Sequence, residues 1–444
     1  MLWDSSAKAP GIKTKNPATA RAGNLIHLTS ELSRPAWSGK VWRRVDQTQR
    51  VLKFMNPSSP AGTDVPGHIL QNRLPSLDGW RALSILLVLG NHEIFSTGFP
   101  HGLAPAFHWL FDGSLGVRFF FTISGFLITW LLLQEWRASQ HISLRNFYVR
   151  RCLRILPVYF AFLLTIYVLQ HTVGNVRNDH SWAGCLTFTR NVFGTDGISS
   201  HLWSLSIEEQ FYLLWPSTLL LLLTKGNIRS LLVVILFVVL LAPLSRGAAD
   251  TLLLPQYPTT QLPETALAKL GFFGILMVAN FFAFADSLAF GCLAAILMAH
   301  KGPQVRAQLT TRPQWTAAIA GACILAPYIL DHLPQKTPII CAQFSFSLQA
   351  IGFSIFLLQS ILLPQAAAYR VLNWKPVVQL GILSYSIYIW QQLVWIAPKH
   401  IGLDHIWWMG LWIPPLLALS ALSYYAMERP LTRLRTAFRP KIIA

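Results

Sequence analysis

The stretch LDGWRALSILLVLGNHEIF, residues 77–95, decides the fold class because it is long and apolar and yet carries charged side chains. A helix of about 20 apolar residues is needed to cross roughly 30 Å of hydrocarbon. Arg81 lies near the start of this run, and His92 and Glu93 lie near its end. Each such group costs free energy inside lipid, so the run predicts a membrane helix whose polar side chains have a function.

The rest of the chain repeats this apolar pattern. Of its 444 residues, 53% are hydrophobic and 12% are charged, which is typical of a multi-pass membrane protein. Apolar segments of about 17 to 22 residues, enough to span a bilayer as helices, occupy 82–99, 115–134, 154–171, 203–224, 229–246, 280–299, 314–331, 344–364, 377–397 and 406–428. We therefore expect an all-α polytopic membrane helix bundle with about ten transmembrane helices. The stretch FFGILMVANFF, 272–282, either extends the sixth span or forms a re-entrant piece.

The basic residues indicate the orientation of the spans. The formal net charge is +18, and its Lys and Arg residues lie in the N-terminal tail and in alternate connections, while 100–114 has neither. Lys and Arg cross the bilayer reluctantly during insertion, so this alternation predicts cytosolic N and C termini. It explains the basic charge without a nucleic-acid partner, and it favours a multi-pass protein of the inner (plasma) membrane.

The segments outside the spans have simple predicted roles. Residues 1–72 are basic and lack the apolar run of a signal peptide, so we expect a disordered cytosolic tail. Residues 73–430 form the expected transmembrane domain, and 431–444 form a short basic cytosolic tail. The five cysteines show neither a CxxC motif nor metal-ligand spacing, and no metal site is predicted.

Polar residues inside the spans share a depth. Arg81 and His92 lie on one face of the first helix, about 16 Å apart. Glu208 and Glu209 follow the outer end of the fourth span by a few residues, which places them level with His92. The same estimate adds Arg118, Ser124, Asp286, Gln391 and Gln392. Unpaired charges at this depth are costly, so these groups are expected to pair or to line a water-filled cavity.

Each motif also has a simpler interpretation. His92 alone is compatible with a hydrogen-bonded core histidine, and Arg150, Arg151 and Arg154 with topology anchors. The small residues of ISGFLIT, 123–129, also let helices pack closely, and YYAMERP, 424–430, also ends the last helix. Nothing in the topology requires the adjacent carboxylates of Glu208 and Glu209, so they favour a functional site.

Seven stretches, in order along the chain, carry a family resemblance. The chain resembles the acyltransferase family 3 of integral membrane proteins in LPSLDGWRALSILLVLGNH (74–92), GVRFFFTISGFLIT (116–129), FYVRRCLRILPVYF (147–160), HLWSLSIEEQFYLLWP (201–216), DSLAFGCLAA (286–295), LGILSYSIYIWQQ (380–392) and YYAMERP (424–430). The resemblance covers residues 74–430, and the ordered set of motifs is specific.

The resemblance implies an O-acyltransferase that moves an acyl group, most readily acetyl, from cytosolic acyl-CoA to a hydroxyl of a polysaccharide or lipid-linked glycan. It implies no permanently bound cofactor, and polysaccharide biosynthesis proteins are expected partners beside the lipid bilayer. Some relatives append an extracellular domain; this chain ends soon after its last predicted span, so the acceptor is expected to be reached directly or through a separate partner. A lipid-linked glycan transporter or flippase is the rival interpretation, because buried charges also mark transport pathways. A scaffold in polysaccharide assembly is a third.

The resemblance also implies roles for site residues. The guanidinium groups of Arg81, Arg150, Arg151 and Arg154 suit the CoA phosphates. His92 suits either a general base, with Glu208 orienting its ring, or a covalent acyl-histidine. Arg118 and the groups near Ser124 are candidates for oxyanion stabilisation. Further candidates are Glu93, Glu209, Asp286, Tyr385 and Gln391.

Two positions depart from the family pattern. Many members carry Asp in place of Arg118 and His in place of Gln391. Roles assigned to these positions in other members are therefore not transferred to this chain.

Overall fold

Helix α1 (Leu77–His92) carries the first predicted site residues and packs against helices on both sides of it. The structure, a computed structural model, describes residue 74 and residues 76–172, 182–192, 197–225, 228–252, 281–333, 339–395 and 405–434. The predicted N-terminal tail, 272–280 of the possible re-entrant stretch and 435–444 of the C-terminal tail lie outside the described residues.

The secondary structure of the described residues is helical throughout. The further helices are α2 (Ala104–Leu110), α3 (Gly113–Ser139), α4 (Leu144–Thr172), α5 (Trp182–Leu186), α6 (Leu202–Thr224), α7 (Ile228–Leu252), α8 (Phe281–Thr311), α9 (Pro313–His332), α10 (Ile339–Leu362), α11 (Ala367–Arg370), α12 (Lys375–Val394), α13 (Ile413–Ser423) and α14 (Arg429–Leu434). Short 3-10 turns cover Glu93–Phe95, His101–Leu103, Val371–Asn373 and Trp407–Met409, and a π-helical turn covers Tyr424–Glu428. No strand occurs in these ranges, and the predicted all-α class is confirmed.

The helices also confirm a multi-pass membrane bundle. Six segments of the described chain are long and apolar enough to cross a membrane, namely His101–Ser139, Leu144–Thr172, Arg229–Gly247, Phe281–Thr311, Pro313–His332 and Gln343–Leu362. Helices α1, α6 and α12, which carry His92, Glu208 and Gln391, are not among these six. The count of ten spans and the cytosolic position of both termini stay predictions.

Two predicted span boundaries differ from the observed helices: the end of the first span and the start of the last. The first was expected over 82–99, but α1 ends at His92, and the Ser96 hydroxyl and backbone N–H both donate to the Glu93 carbonyl. The last was expected over 406–428, but α13 begins at Ile413, after Gly410 in the left-handed region (φ 88°). Two prolines then occupy the first turn of α13, where proline is tolerated.

Helices α3 and α8 cross closely at the centre of the bundle. A Cβ added at Gly125 of α3 would collide with the Leu288 carbonyl, and one added at Gly291 of α8 would collide with the Thr122 carbonyl. Only glycine allows this approach. Gly125 of ISGFLIT therefore lets the two helices pack closely, as the simpler interpretation of that motif predicted.

Five helices frame the space described next. Helix α1 packs against α3 and α12. The Trp215 indole of α6 donates to the Thr129 hydroxyl of α3 over 2.8 Å, and the Tyr385 hydroxyl of α12 donates to the Ile155 carbonyl of α4 over 2.7 Å. These contacts hold α1, α3, α4, α6 and α12 around one cavity.

Candidate active site

A cavity of roughly 780 Å³ of empty volume, part of it open to the outside, lies between α1, α3, α4, α6 and α12. Its lining combines cations, one carboxylate, hydroxyl groups and apolar side chains: Arg81, Val117, Phe120, Phe121, Ser124, Leu127, Ile128, Arg151, Arg154, Ile155, Ser204, Leu205, Glu208, Tyr212, Ser384, Tyr385 and Tyr388. The sequence-predicted residues brought together here are Arg81, Ser124, Arg151, Arg154, Glu208 and Tyr385.

Three arginines mark one end of this cavity. Arg81 lies 3.4 Å from Asp78 in its own helix. The Arg151 guanidinium lies 3.5 Å from the centre of the Tyr212 ring, and its Nε lies 3.9 Å from Glu209. Together with Arg154, they offer a concentrated positive charge with planar donors, which suits phosphate groups.

Arg150 takes a different direction from its neighbour Arg151. It lies 3.2 Å from the Glu135 carboxylate of α3, whose other oxygen accepts the Ser143 backbone N–H. Arg150 is not among the residues that line the cavity. Its observed contacts are therefore those of a pair that ties the connection between α3 and α4.

A hydrogen-bonded hydroxyl and carboxylate occupy the middle of the cavity. The Ser124 hydroxyl of α3 donates to Glu208 Oε1 of α6 over 2.6 Å. Ser204, Glu208 and Tyr212 are spaced four residues apart along α6, which aligns them on one face of the helix. That spacing is the sequence signal for Ser204 and Tyr212, which the sequence analysis missed.

A second hydroxyl pair lies at the end of the cavity away from the arginines. The Ser204 and Tyr388 hydroxyl groups are 2.6 Å apart, and the Tyr388 hydroxyl also donates to the His201 carbonyl. Phe121 and Val117, one turn apart on α3, line this region too. The cavity thus runs from a cationic end, past a carboxylate, to a wall of aromatic and hydroxyl groups.

His92 lies beside this cavity and not on its lining. Its Nδ1 is 3.3 Å from Gln391 Oε1, and its ring meets the Trp395 ring edge-on with centroids 4.9 Å apart. The Gln391 amide nitrogen donates to the Tyr388 carbonyl over 3.1 Å. Among the described residues, no hydrogen bond joins His92 to Glu208, and Tyr388 is the cavity residue nearest to Gln391 along α12.

Glu93, next to His92, has structural contacts. Its Oε1 accepts the Trp412 indole N–H over 2.9 Å and the Ser96 hydroxyl over 3.1 Å. The carboxylate is buried and joins the end of α1 to the residue before α13. These bonds hold the end of α1, and therefore His92, in place.

Arg118 and Asp286 belong to a separate charged network. Arg118 donates to Ser114 over 2.6 Å, lies 3.5 Å from Asp112, and stacks 4.0 Å from the centre of the Phe346 ring. Asp286 pairs with Arg246 over 2.9 Å and accepts the Ser347 hydroxyl over 2.6 Å. Arg246, the last residue of the predicted fifth span, is not among the residues that the sequence pattern singled out.

Comparison with known proteins shows which family and relatives the chain is similar to. The model of a family described as an acyltransferase domain matches residues 74–425. The peptidoglycan O-acetyltransferase OatA of Listeria monocytogenes is 26% identical over 383 residues, which cover 81% of this chain and 56% of the relative. YrhL of Bacillus subtilis, provisionally named a peptidoglycan O-acetyltransferase, is 26% identical over 392 residues, covering 81% of this chain and 55% of the relative.

A provisionally named O-acetyltransferase of Staphylococcus aureus matches over a shorter stretch. It is 35% identical over 164 residues, which cover 34% of this chain and 25% of the relative. The chain spans about half the length of the first two curated relatives. The family model, by contrast, covers most of the chain and includes every residue that lines the cavity. The chain therefore belongs to the acyltransferase family 3.

Proposed function

We propose that the chain is a membrane O-acyltransferase that moves an acyl group, in the first instance acetyl, from cytosolic acyl-CoA to a hydroxyl of a polysaccharide or lipid-linked glycan. One observation carries the proposal, namely a single cavity with Arg81, Arg151 and Arg154 at one end and the Ser124–Glu208 pair at its centre.

The donor is expected to enter at the arginines. CoA phosphates accept charge-assisted hydrogen bonds from guanidinium groups, and the thioester then extends along the cavity. The lining residues of α3 run from Ile128 to Val117, which corresponds to about 16 Å of helix. The flexible pantetheine arm suits a path of this length and carries the acyl group toward the end of the cavity near Tyr388.

His92 is the proposed base, and Gln391 supports this role. The Gln391 amide nitrogen donates to a carbonyl, so its oxygen faces His92 and accepts a hydrogen bond from Nδ1–H. Nε2 then keeps its lone pair. In direct transfer, Nε2 takes the acceptor's hydroxyl proton, the acceptor oxygen attacks the thioester carbonyl, the C–S bond breaks, and the proton passes to the CoA thiolate.

The covalent route uses the same nitrogen. Nε2 attacks the thioester carbonyl, and CoA leaves as the thiolate. The acceptor hydroxyl then takes the acyl group from the ring, the acyl–nitrogen bond breaks, and the hydroxyl proton passes to the CoA thiolate. In either route Glu208 is proposed to act electrostatically, because a negative charge in a low-dielectric site stabilises a positively charged imidazole. Gln391, not Glu208, orients the ring.

The acceptor is proposed to be a glycan on the far side of the membrane. Two of the relatives carry names that refer to peptidoglycan O-acetylation, which favours a cell-envelope glycan. The corresponding place for this chain is the inner (plasma) membrane, with polysaccharide biosynthesis proteins as partners that supply or complete the acceptor.

The test uses inverted membrane vesicles supplied with labelled acetyl-CoA. Wild type is expected to place label in a glycan or lipid-linked glycan, and His92→Ala and Glu208→Gln are expected to lower incorporation by at least about 100-fold, the scale of a lost base or charge stabiliser. His171→Ala is the matched control, because the exposed His171 ring bonds to the Tyr167 carbonyl of its own helix and does not line the cavity. Equal incorporation in all variants contradicts the assignment, and glycan translocation without label favours a transporter.

A further inference from the structure

Arg151 has an unusual set of contacts for a buried arginine at a binding site. The Glu209 carboxylate stands 3.9 Å from Nε, beyond hydrogen-bond distance, and Nε has no hydrogen-bond partner among the described residues. Its close contact is with the Tyr212 ring, 3.5 Å below the guanidinium carbon. The orientation of the guanidinium plane therefore depends on a ring and not on a set of hydrogen bonds.

The Tyr212 ring is itself fixed. Tyr212 is 3% exposed and lies on α6 one turn beyond Glu208, so the ring and the central carboxylate move as one helix face. A guanidinium stacked flat on an aromatic ring keeps its in-plane N–H donors free for a phosphate. Both residues line the cavity, so these donors are available to a ligand there.

We propose that Tyr212 is a positioning residue that holds Arg151 flat so that the guanidinium meets a phosphate of the acyl donor edge-on. This inference rests on the proposed function, since it takes acyl-CoA to be the ligand of the cavity. Tyr212 acts through the stacking of its ring on Arg151. Its hydroxyl lies within hydrogen-bonding reach of Ser124, a contact that Tyr212→Phe removes while it keeps the ring.

The test compares Tyr212→Leu and Tyr212→Phe with two donors, acetyl-CoA and S-acetyl-pantetheine, which lacks all the phosphates. Tyr212→Leu removes the ring and is expected to raise KM for acetyl-CoA about tenfold, the effect of losing a desolvated cation–π contact. KM for S-acetyl-pantetheine is expected to stay unchanged. Tyr212→Phe keeps the stacking surface and is expected to keep the wild-type KM for acetyl-CoA.

Phe211→Leu is the matched control, because it makes the same kind of change one residue away, at a buried ring that does not line the cavity. Its KM for acetyl-CoA is expected to stay at the wild-type value. A double-mutant cycle completes the test: in an Arg151→Ala background, Tyr212→Leu is expected to have no further effect on the dissociation constant of CoA, measured by calorimetry on the detergent-solubilised protein.

An equal rise in KM for both donors, or additive effects of the two substitutions, overturns the positioning role. A wild-type protein that neither transfers from acetyl-CoA nor binds CoA instead overturns the proposed function. The two failures are therefore distinguishable in the same set of measurements.

Discussion

His92 is held between the Gln391 amide and the Trp395 ring, and this arrangement selects the ring nitrogen that is available for chemistry. An amide oxygen can only accept a hydrogen bond, so it fixes the tautomer that carries the proton on Nδ1. A leucine at position 391 fills a similar volume and leaves the tautomer unselected.

Gln391→Leu is therefore expected to lower kcat by about tenfold, the scale of one hydrogen bond that orients a catalytic group. KM for acetyl-CoA is expected to stay unchanged, because the arginine end of the cavity is untouched. The measurement is the initial rate of label transfer in inverted vesicles at varied acetyl-CoA. Gln392→Leu is the control, since Gln392 bonds to Ser200 and not to His92. A rise in KM without a change in kcat in Gln391→Leu contradicts the role of the amide.

The sequence predicts which residues belong to this site better than it predicts which side chains they contact. Helical periodicity and charge patterns identify Glu208 and the arginines, because depth and face follow from residue number. Neighbouring residues on a helix point about 100° apart, and of Arg150 and Arg151 only Arg151 lines the cavity. Which of them does so depends on where Glu135 and Tyr212 pack, and packing across helices is not encoded in local spacing.

At the scale of elements, the crossing of α3 and α8 determines the position of Ser124. Gly125 follows Ser124 directly, and it lies against the backbone of α8 at Leu288. A side chain at this position pushes the two helices apart and moves the Ser124 hydroxyl away from Glu208, with which it bonds over 2.6 Å.

Gly125→Ala is expected to destabilise the protein by about 1–3 kcal/mol, the usual cost of overpacking a close contact. The measurement is the thermal unfolding midpoint of the detergent-purified protein. Gly321→Ala on α9 is the matched control, because a Cβ at Gly321 meets no atom within 4 Å, and alanine is a better helix former than glycine. Equal midpoints for Gly125→Ala and wild type are incompatible with the close crossing.

The helices themselves were largely predictable because the thickness of the hydrocarbon layer sets their length. The ends of the first and last spans were not, since local hydrogen bonding and backbone conformation decide them. The Ser96 hydroxyl donates to the Glu93 carbonyl, and the chain leaves the direction of α1 there. Gly410 takes a left-handed conformation, and α13 begins only after it. A hydropathy pattern predicts neither of these helix ends.

At the scale of the whole molecule, two sets of charged groups stand apart from each other within the described residues. Arg81, Arg151 and Arg154 share the cavity, whereas Arg118 and Arg246 are held by Asp112, Asp286 and the Phe346 ring. Helix α3 joins the sets, with Arg118 near its start and cavity residues down to Ile128 further along. Because Lys and Arg of the connections favour the cytosolic side, the cavity arginines are predicted to face the cytosol and the Arg118 set the opposite side.

This orientation predicts that the donor is used from one side only. Acetyl-CoA does not cross a bilayer, so sealed inverted vesicles are expected to incorporate label supplied outside, and sealed right-side-out vesicles are expected to incorporate none. Detergent-permeabilised right-side-out vesicles are expected to recover the activity, which controls for inactive protein. High salt is expected to raise KM for acetyl-CoA at the cytosolic face, because part of its binding is electrostatic and screened within a Debye length of about 8 Å at physiological ionic strength. Equal labelling of both sealed preparations would mean that the arginine end does not open to the cytosol.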